Sequence, residues 1–140
     1  MFRNFRSSAN ANTLRFLLRQ ANVTNLNNTM PYSALRARAN AYLVNKGKPA
    51  LSMMSGANSV IRKVANTLAN KNKVARQLAN QAVAAANQAT AVAVGNPTPQ
   101  NIAAANQANA AANAASKAAV NGNASAAAVH SVNAQRAAGP

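Results

Sequence analysis

Apolar residues recur at helical spacing through most of this chain, and short polar or proline-containing gaps separate the recurrences. From Val60 to about Val94, the residues Ile61, Val64, Leu68, Ala75, Leu78, Ala82, Ala85, Ala89 and Val92 follow three- and four-residue steps. The spacing predicts one long helix of roughly 50 Å at about 1.5 Å per residue. Lys71 interrupts the stripe, while Arg62, Asn66, Lys73, Gln77, Asn80 and Asn87 mark a polar face. "GNPTP" must end this helix, because two prolines in three positions cannot sit in a helix interior. A second helix is predicted from about Asn101 to Val120, with Asn106, Asn109, Asn113 and Lys117 in a polar stripe. "NGN" breaks it, and a last helix is predicted from about Ala124 to Ala137.

The first part of the chain has shorter elements. Asn12 or Thr13 could cap a short helix that places Arg15 and Arg19 on one face at i, i+4. "NVTNLNNTMP" reads as a polar connector. Ser33 then offers an N-cap for a helix near Ala34–Val44, with Leu35, Ala39, Tyr42 and Leu43 on its apolar side. "NKGKP" stops it: Gly47 suits a C-terminal cap and Pro49 prevents continuation. Asn58 or Ser59 is the next candidate cap. The expected fold class is all-α, in three parts: a basic N-terminal arm with short helices over 1–57, a long helix over 58–94, and an Ala/Asn-rich helical hairpin over 95–140.

Composition changes the picture of the last part. Every Phe, Leu, Met and Tyr of the 140 residues falls before Ala79; beyond it only Val and Ile exceed Ala in apolar bulk. Alanine has the best helix propensity, so the tail should be helical. Yet Ala against Ala removes little area from water, at about 25 cal/mol per Å2, while ordering costs about 1–2 kcal/mol of backbone entropy per residue. The tail is therefore expected to order only through assembly with neighbouring subunits.

Charge narrows the function. There are fifteen Lys and Arg and no Asp or Glu, a formal net charge of +15. A compact monomer of this kind gains no ion pairs and repels itself, which makes sense if a polyanion supplies the negative charge; nucleic acid is the commonest. Thirteen cations lie in the first half: Arg3, Arg6, Arg15, Arg19, Arg36, Arg38, Lys46, Lys48, Arg62, Lys63, Lys71, Lys73 and Arg76. Their spread, instead of a single block, fits a surface that follows a phosphate backbone, and these are the candidate nucleic-acid-binding residues. Any one pair, such as Arg36 and Arg38, reads sooner as a solvated helix face; the signal is collective, because no acids offset it. Neutralising all fifteen charges corresponds to about seven base pairs of duplex, at two phosphates per pair. The opening "MFRNFRSSANANTLRFLLRQ" has the Arg-rich, Ser-containing, acid-free character of a mitochondrial presequence, but the whole chain is acid-free, and a basic arm that wraps a partner is the stronger expectation.

Catalysis has almost nothing to work with. There is no carboxylate, no Cys and a single histidine, His130, with no acid to orient it, so neither a hydrolytic triad nor a metal site is expected. No phosphate-cradling glycine loop, zinc finger or base-stacking aromatic motif is visible; Phe2, Phe5, Phe16, Tyr32 and Tyr42 read as core or anchor residues. No enzyme activity, cofactor, small-molecule substrate or transmembrane segment is expected.

The basic arm in the first 50 residues, the absence of acids, the chain length and the helices that follow together resemble the small α-helical coat proteins of filamentous and rod-shaped archaeal viruses. In that family, paired subunits wrap double-stranded DNA held in A-form. The resemblance implies a non-enzymatic virion coat protein whose partners are nucleic acid, duplex DNA before RNA, and many copies of itself or of a paralogous coat subunit. It assigns no residue a role. Two other functions fit the same composition: a small basic ribosomal protein of a mitochondrion or other organelle, and a minor capsid or cement protein that makes mainly protein contacts.

Overall fold

The computed structural model describes residues 4–139, with side chains from Ser8 onward. It is all-α, with no strand among the described residues. The six helices are α1 (Asn4–Gln20), α2 (Tyr32–Asn45), α3 (Ala57–Thr67), α4 (Lys71–Gly95), α5 (Pro99–Val120) and α6 (Ala124–Ala138). No helix among the described residues is long and apolar enough to cross a membrane.

Two apolar clusters hold the helices together, and they differ in kind. The first is built from leucines and branched residues, including Leu14, Leu17 and Leu18 of α1, Leu35 and Leu43 of α2, Val60, Ile61 and Val64 of α3, and Val74 and Leu78 of α4. Ala124, Ala127, Ala128 and Val132 of α6 complete it. The second consists of alanines alone, among them Ala82, Ala86 and Ala89 of α4, Ala108 and Ala115 of α5, and Ala134 of α6. Alanine faces let helix backbones approach closely, so many weak contacts replace the few large ones of the first cluster. The connections from α4 to α5 and from α5 to α6 are short, which makes consecutive helices antiparallel neighbours.

Three expectations are corrected. The predicted long helix is two: α3 ends at Thr67, Leu68 is extended (φ −69°, ψ 143°), and α4 begins at Lys71. The interrupted stripe explains the break. An unbroken helix would carry Lys71 onto the buried face between Leu68 and Ala75; the kink buries Leu68 and leaves Lys71 in solvent. The short helix capped at Asn12 or Thr13 is instead the 17-residue α1, in which both positions are interior. Its inward residues are paired: Thr13 Oγ1 lies 3.2 Å from the donating Gln135 Nε2, and Asn10 Oδ1 accepts from Arg136 at 2.8 Å. The predicted caps Ser33 and Asn58 or Ser59 give way to Pro31 and Gly56, neither of which makes a side-chain capping bond. The Ala/Asn-rich hairpin packs its alanines on an alanine stripe of α4 within the same chain.

The predicted stops hold. Gly47 takes φ +78°, where a side chain would be strained, and its N–H reaches Val44 O while Lys48 N–H reaches Leu43 O. Thr98 caps α5 by accepting from Asn101 N–H at 3.1 Å, with Pro99 in the first turn. Gly122, at φ +69°, turns the chain between α5 and α6 so tightly that a Cβ there would meet Asn72 Oδ1 of α4. Asn123 then caps α6 through Ala126 N–H.

Candidate nucleic-acid interface

Guanidinium groups need acceptors, and this chain offers them no carboxylate. Arg15, Arg19, Arg36 and Arg38 turn to backbone carbonyls and amide oxygens instead. Arg15 is 7% exposed; its Nε donates to Asn27 O at 2.9 Å, one terminal nitrogen to Met30 O at 2.8 Å, and the other to Asn12 Oδ1 at 3.2 Å. Burial, and after it the nearby Arg19, pulls the Arg15 guanidinium below its ordinary pKa, yet an arginine remains charged at neutral pH. Arg19 donates to Asn28 Oδ1 at 2.9 Å and Arg38 to Asn25 O at 2.6 Å. These bonds pin the connector between α1 and α2, where Asn22 and Asn25 take positive φ. Arg36 likewise holds the segment before α3 through Ser52 O. Arg15, Arg36 and Arg38 thus fasten loops, a task that no sequence pattern announced because every residue carries a carbonyl.

Arg15→Ala would leave two carbonyls without their donor and strip a packed stem. An expected loss of about 1–3 kcal/mol follows, measurable by urea unfolding. Arg15→Lys should not restore it, since one ammonium cannot reproduce the fork that spans both oxygens.

The other cations are placed differently. Lys46, Lys48, Arg62, Lys63, Lys71, Lys73 and Arg76 are exposed, as is Lys117 of α5. Lys46 lies 5.9 Å from the centroid of the Tyr42 ring. Arg3 lies outside the described residues, and the Arg6 side chain is likewise not described.

Lys71, Lys73 and Arg76 come together at the N-terminal end of α4. With Ala69, Asn70 and Asn72 they line a cleft of ≈ 450 Å³. A second cleft of ≈ 390 Å³ shares Lys73 and Arg76 and continues past Gln77 and Asn80 to Ser116 and Ala119 of α5. The result is an open surface depression that spans two helices, lined by small and amide side chains together with the cations. The amides and Ser116 were missed as site residues in the sequence, since their contribution depends on the α4–α5 pairing. Asn70 makes no side-chain capping bond, and no acid sits in the first turn of α4. Positive charges at a helix N-terminus oppose the helix dipole by about 0.3–1 kcal/mol each. The same site gains when an anion arrives, because uncapped N–H groups, dipole and side chains all favour it.

Comparison with protein-family models, with curated proteins and with solved structures finds no match to this chain.

Proposed function

We propose that this chain is a virion structural protein that coats nucleic acid through sequence-independent phosphate contacts, acting in many copies. The observation that carries the reading is the depression at the start of α4. Two of its cations, Lys71 and Lys73, stand in the first turn of α4, where the helix dipole disfavours them, Arg76 lines the same cleft one turn on, and no Asp or Glu in the chain can relieve them. A phosphate backbone supplies that relief. Arg62 and Lys63 on α3, Lys46 and Lys48 after α2, and Lys117 on α5 extend the same chemistry over the surface.

Duplex is favoured over single strands because binding unpaired bases calls for exposed aromatic platforms. Among the described side chains, Phe16, Tyr32 and Tyr42 are packed against or within the first apolar cluster. The preference for DNA over RNA, and the assignment to a virion, rest on the resemblance to archaeal-virus coat proteins.

The test is nuclease protection by the purified full chain, on duplex DNA and on single-stranded RNA of equal length. Continuous protection of the duplex at saturating protein is the expected result. Duplex that is digested as fast as naked DNA overturns the reading, and selective protection of the RNA replaces the coat assignment with an RNA-binding one.

A further inference from the structure

Met53 and Met54 are 94% and 91% exposed, the highest values of any large apolar residue among the described ones. Apolar residues scattered over a surface need no explanation, but these two are adjacent and the chain holds them out. Leu51, just before them, turns into the leucine core, and its N–H donates to Asn40 Oδ1 of α2 at 2.7 Å. Arg36, also of α2, donates to Ser52 O, and the same oxygen accepts from Ser55 N–H at 3.0 Å. Met54 N–H donates to Ser52 Oγ at 3.1 Å. Residues 52–55 therefore form a turn with both methionines at its apex, fastened to α2 through Arg36 and Asn40. A pair of thioether side chains held in water gains by leaving it.

Charge selects the partner. Lys46 and Lys48 precede the turn, the Arg36 guanidinium is bonded to it, and Arg62 and Lys63 follow on α3. No Asp or Glu in the chain offsets them, so a partner that brings negative charge is favoured. A duplex offers phosphates on the outside and, between its base pairs, an apolar gap that a slender side chain can enter. Methionine is unbranched and adaptable, and is among the residues that serve as such wedges. A bilayer surface is held by a broad apolar face, whereas here Ser52 and Ser55 flank two side chains. The spacing also suits a duplex. α3 leads from this turn to the depression at the start of α4, and its 11 residues span about 16 Å, or about five base pairs at about 3.4 Å each. The exposed Arg62 and Lys63 lie on that helix.

We propose that the turn at residues 52–55 is a wedge that inserts Met53 and Met54 between base pairs of the bound duplex and partly unstacks one step, while the cations on either side hold the flanking phosphates. The proposal rests on the coat reading and deepens it: the duplex is kinked at each subunit, at whichever step meets the turn, with no choice of sequence.

The experiment follows 2-aminopurine, a fluorescent base that brightens when it unstacks, placed at several positions of a duplex titrated with the full chain. Wild type is expected to raise the fluorescence roughly twofold or more at saturation. Met53→Gln combined with Met54→Gln keeps the side-chain length but makes both ends polar, and should lose most of that rise. The salt slope of its binding should be unchanged, because no charge is altered. Met53→Leu combined with Met54→Leu should keep the rise. Both positions are exposed, so the helical circular dichroism of either variant should match wild type. A wild-type chain that binds duplex without brightening it overturns the wedge and leaves the coat reading standing, and a Gln variant that brightens it fully does the same. A chain that binds no duplex overturns both. Flotation with phosphatidylserine vesicles is run in parallel: vesicle binding that depends on the two methionines, without unstacking of duplex, assigns the turn to a bilayer surface and overturns the wedge.

Discussion

Affinity for duplex DNA is expected to fall about 10⁴-fold between 50 and 200 mM salt, within the range for a protein that contacts six to ten phosphates. The count comes from the structure. Eight described cations are exposed and hold no hydrogen bond to other described residues: Lys46, Lys48, Arg62, Lys63, Lys71, Lys73, Arg76 and Lys117. If all eight reach phosphate, log K should fall against log salt with a slope of about −7, and Arg3 and Arg6 can only steepen it. Fluorescence anisotropy of a labelled duplex titrated at several salt concentrations reads the slope directly. Replacing Lys71, Lys73 and Arg76 together with Ala should lower its magnitude by about 3, uniformly across DNA sequences. Arg15→Ala should leave the slope where it is, because that guanidinium is already committed to Asn27 and Met30 carbonyls. A wild-type slope near −1 would mean that the exposed cations do not face the phosphate backbone together, and the depression at α4 would lose its meaning.

That contrast between Arg15 and Lys71 shows what the sequence made legible. Helix class, the inward residues of α2, and the stops at Gly47, Pro97 and Gly122 could all be read, since each rests on local geometry: a positive φ, a missing N–H, a three- or four-residue step. The break between α3 and α4 was visible only as a blemish, Lys71 on an apolar stripe. Its resolution into a kink depends on how deeply Leu68 is buried, which is a tertiary fact. The division of the cations into loop fasteners and free charges was not legible at all. Arg15, Arg36 and Arg38 look like any basic residue on a helix, and their acceptors are main-chain oxygens brought near by folding. The pairing of the alanine helices was equally hidden. Alanine's small contact area says nothing of which alanine faces meet, and in the structure those of α5 and α6 meet the stripe on α4.

The two clusters also make the second large effect predictable. Leu78 is fully buried and belongs to the first cluster, while its neighbour Ala79 belongs to the second. It is the last leucine in the chain, so past it α4 has no large aliphatic anchor in the shared core. Leu78→Ala is expected to cost about 2–5 kcal/mol, the transfer free energy of the lost atoms plus the cavity they leave. A domain of this size has a total stability of about 5–15 kcal/mol, so the variant should be partly unfolded at 37 °C or close to it. Urea unfolding followed by circular dichroism gives the value as a drop in midpoint. An unchanged slope means that leucine core and alanine hairpin unfold as one unit. A shallower slope, or two transitions, means that the α4–α5–α6 bundle has separated from the rest and that Leu78 was the coupling between them. The comparison variant is Val94→Ala, 77% exposed on the same helix, expected to shift stability by no more than about 0.5 kcal/mol. If Leu78→Ala cost as little as that, the leucine core would not extend onto α4, and the alanine helices would have to be held by their own close packing.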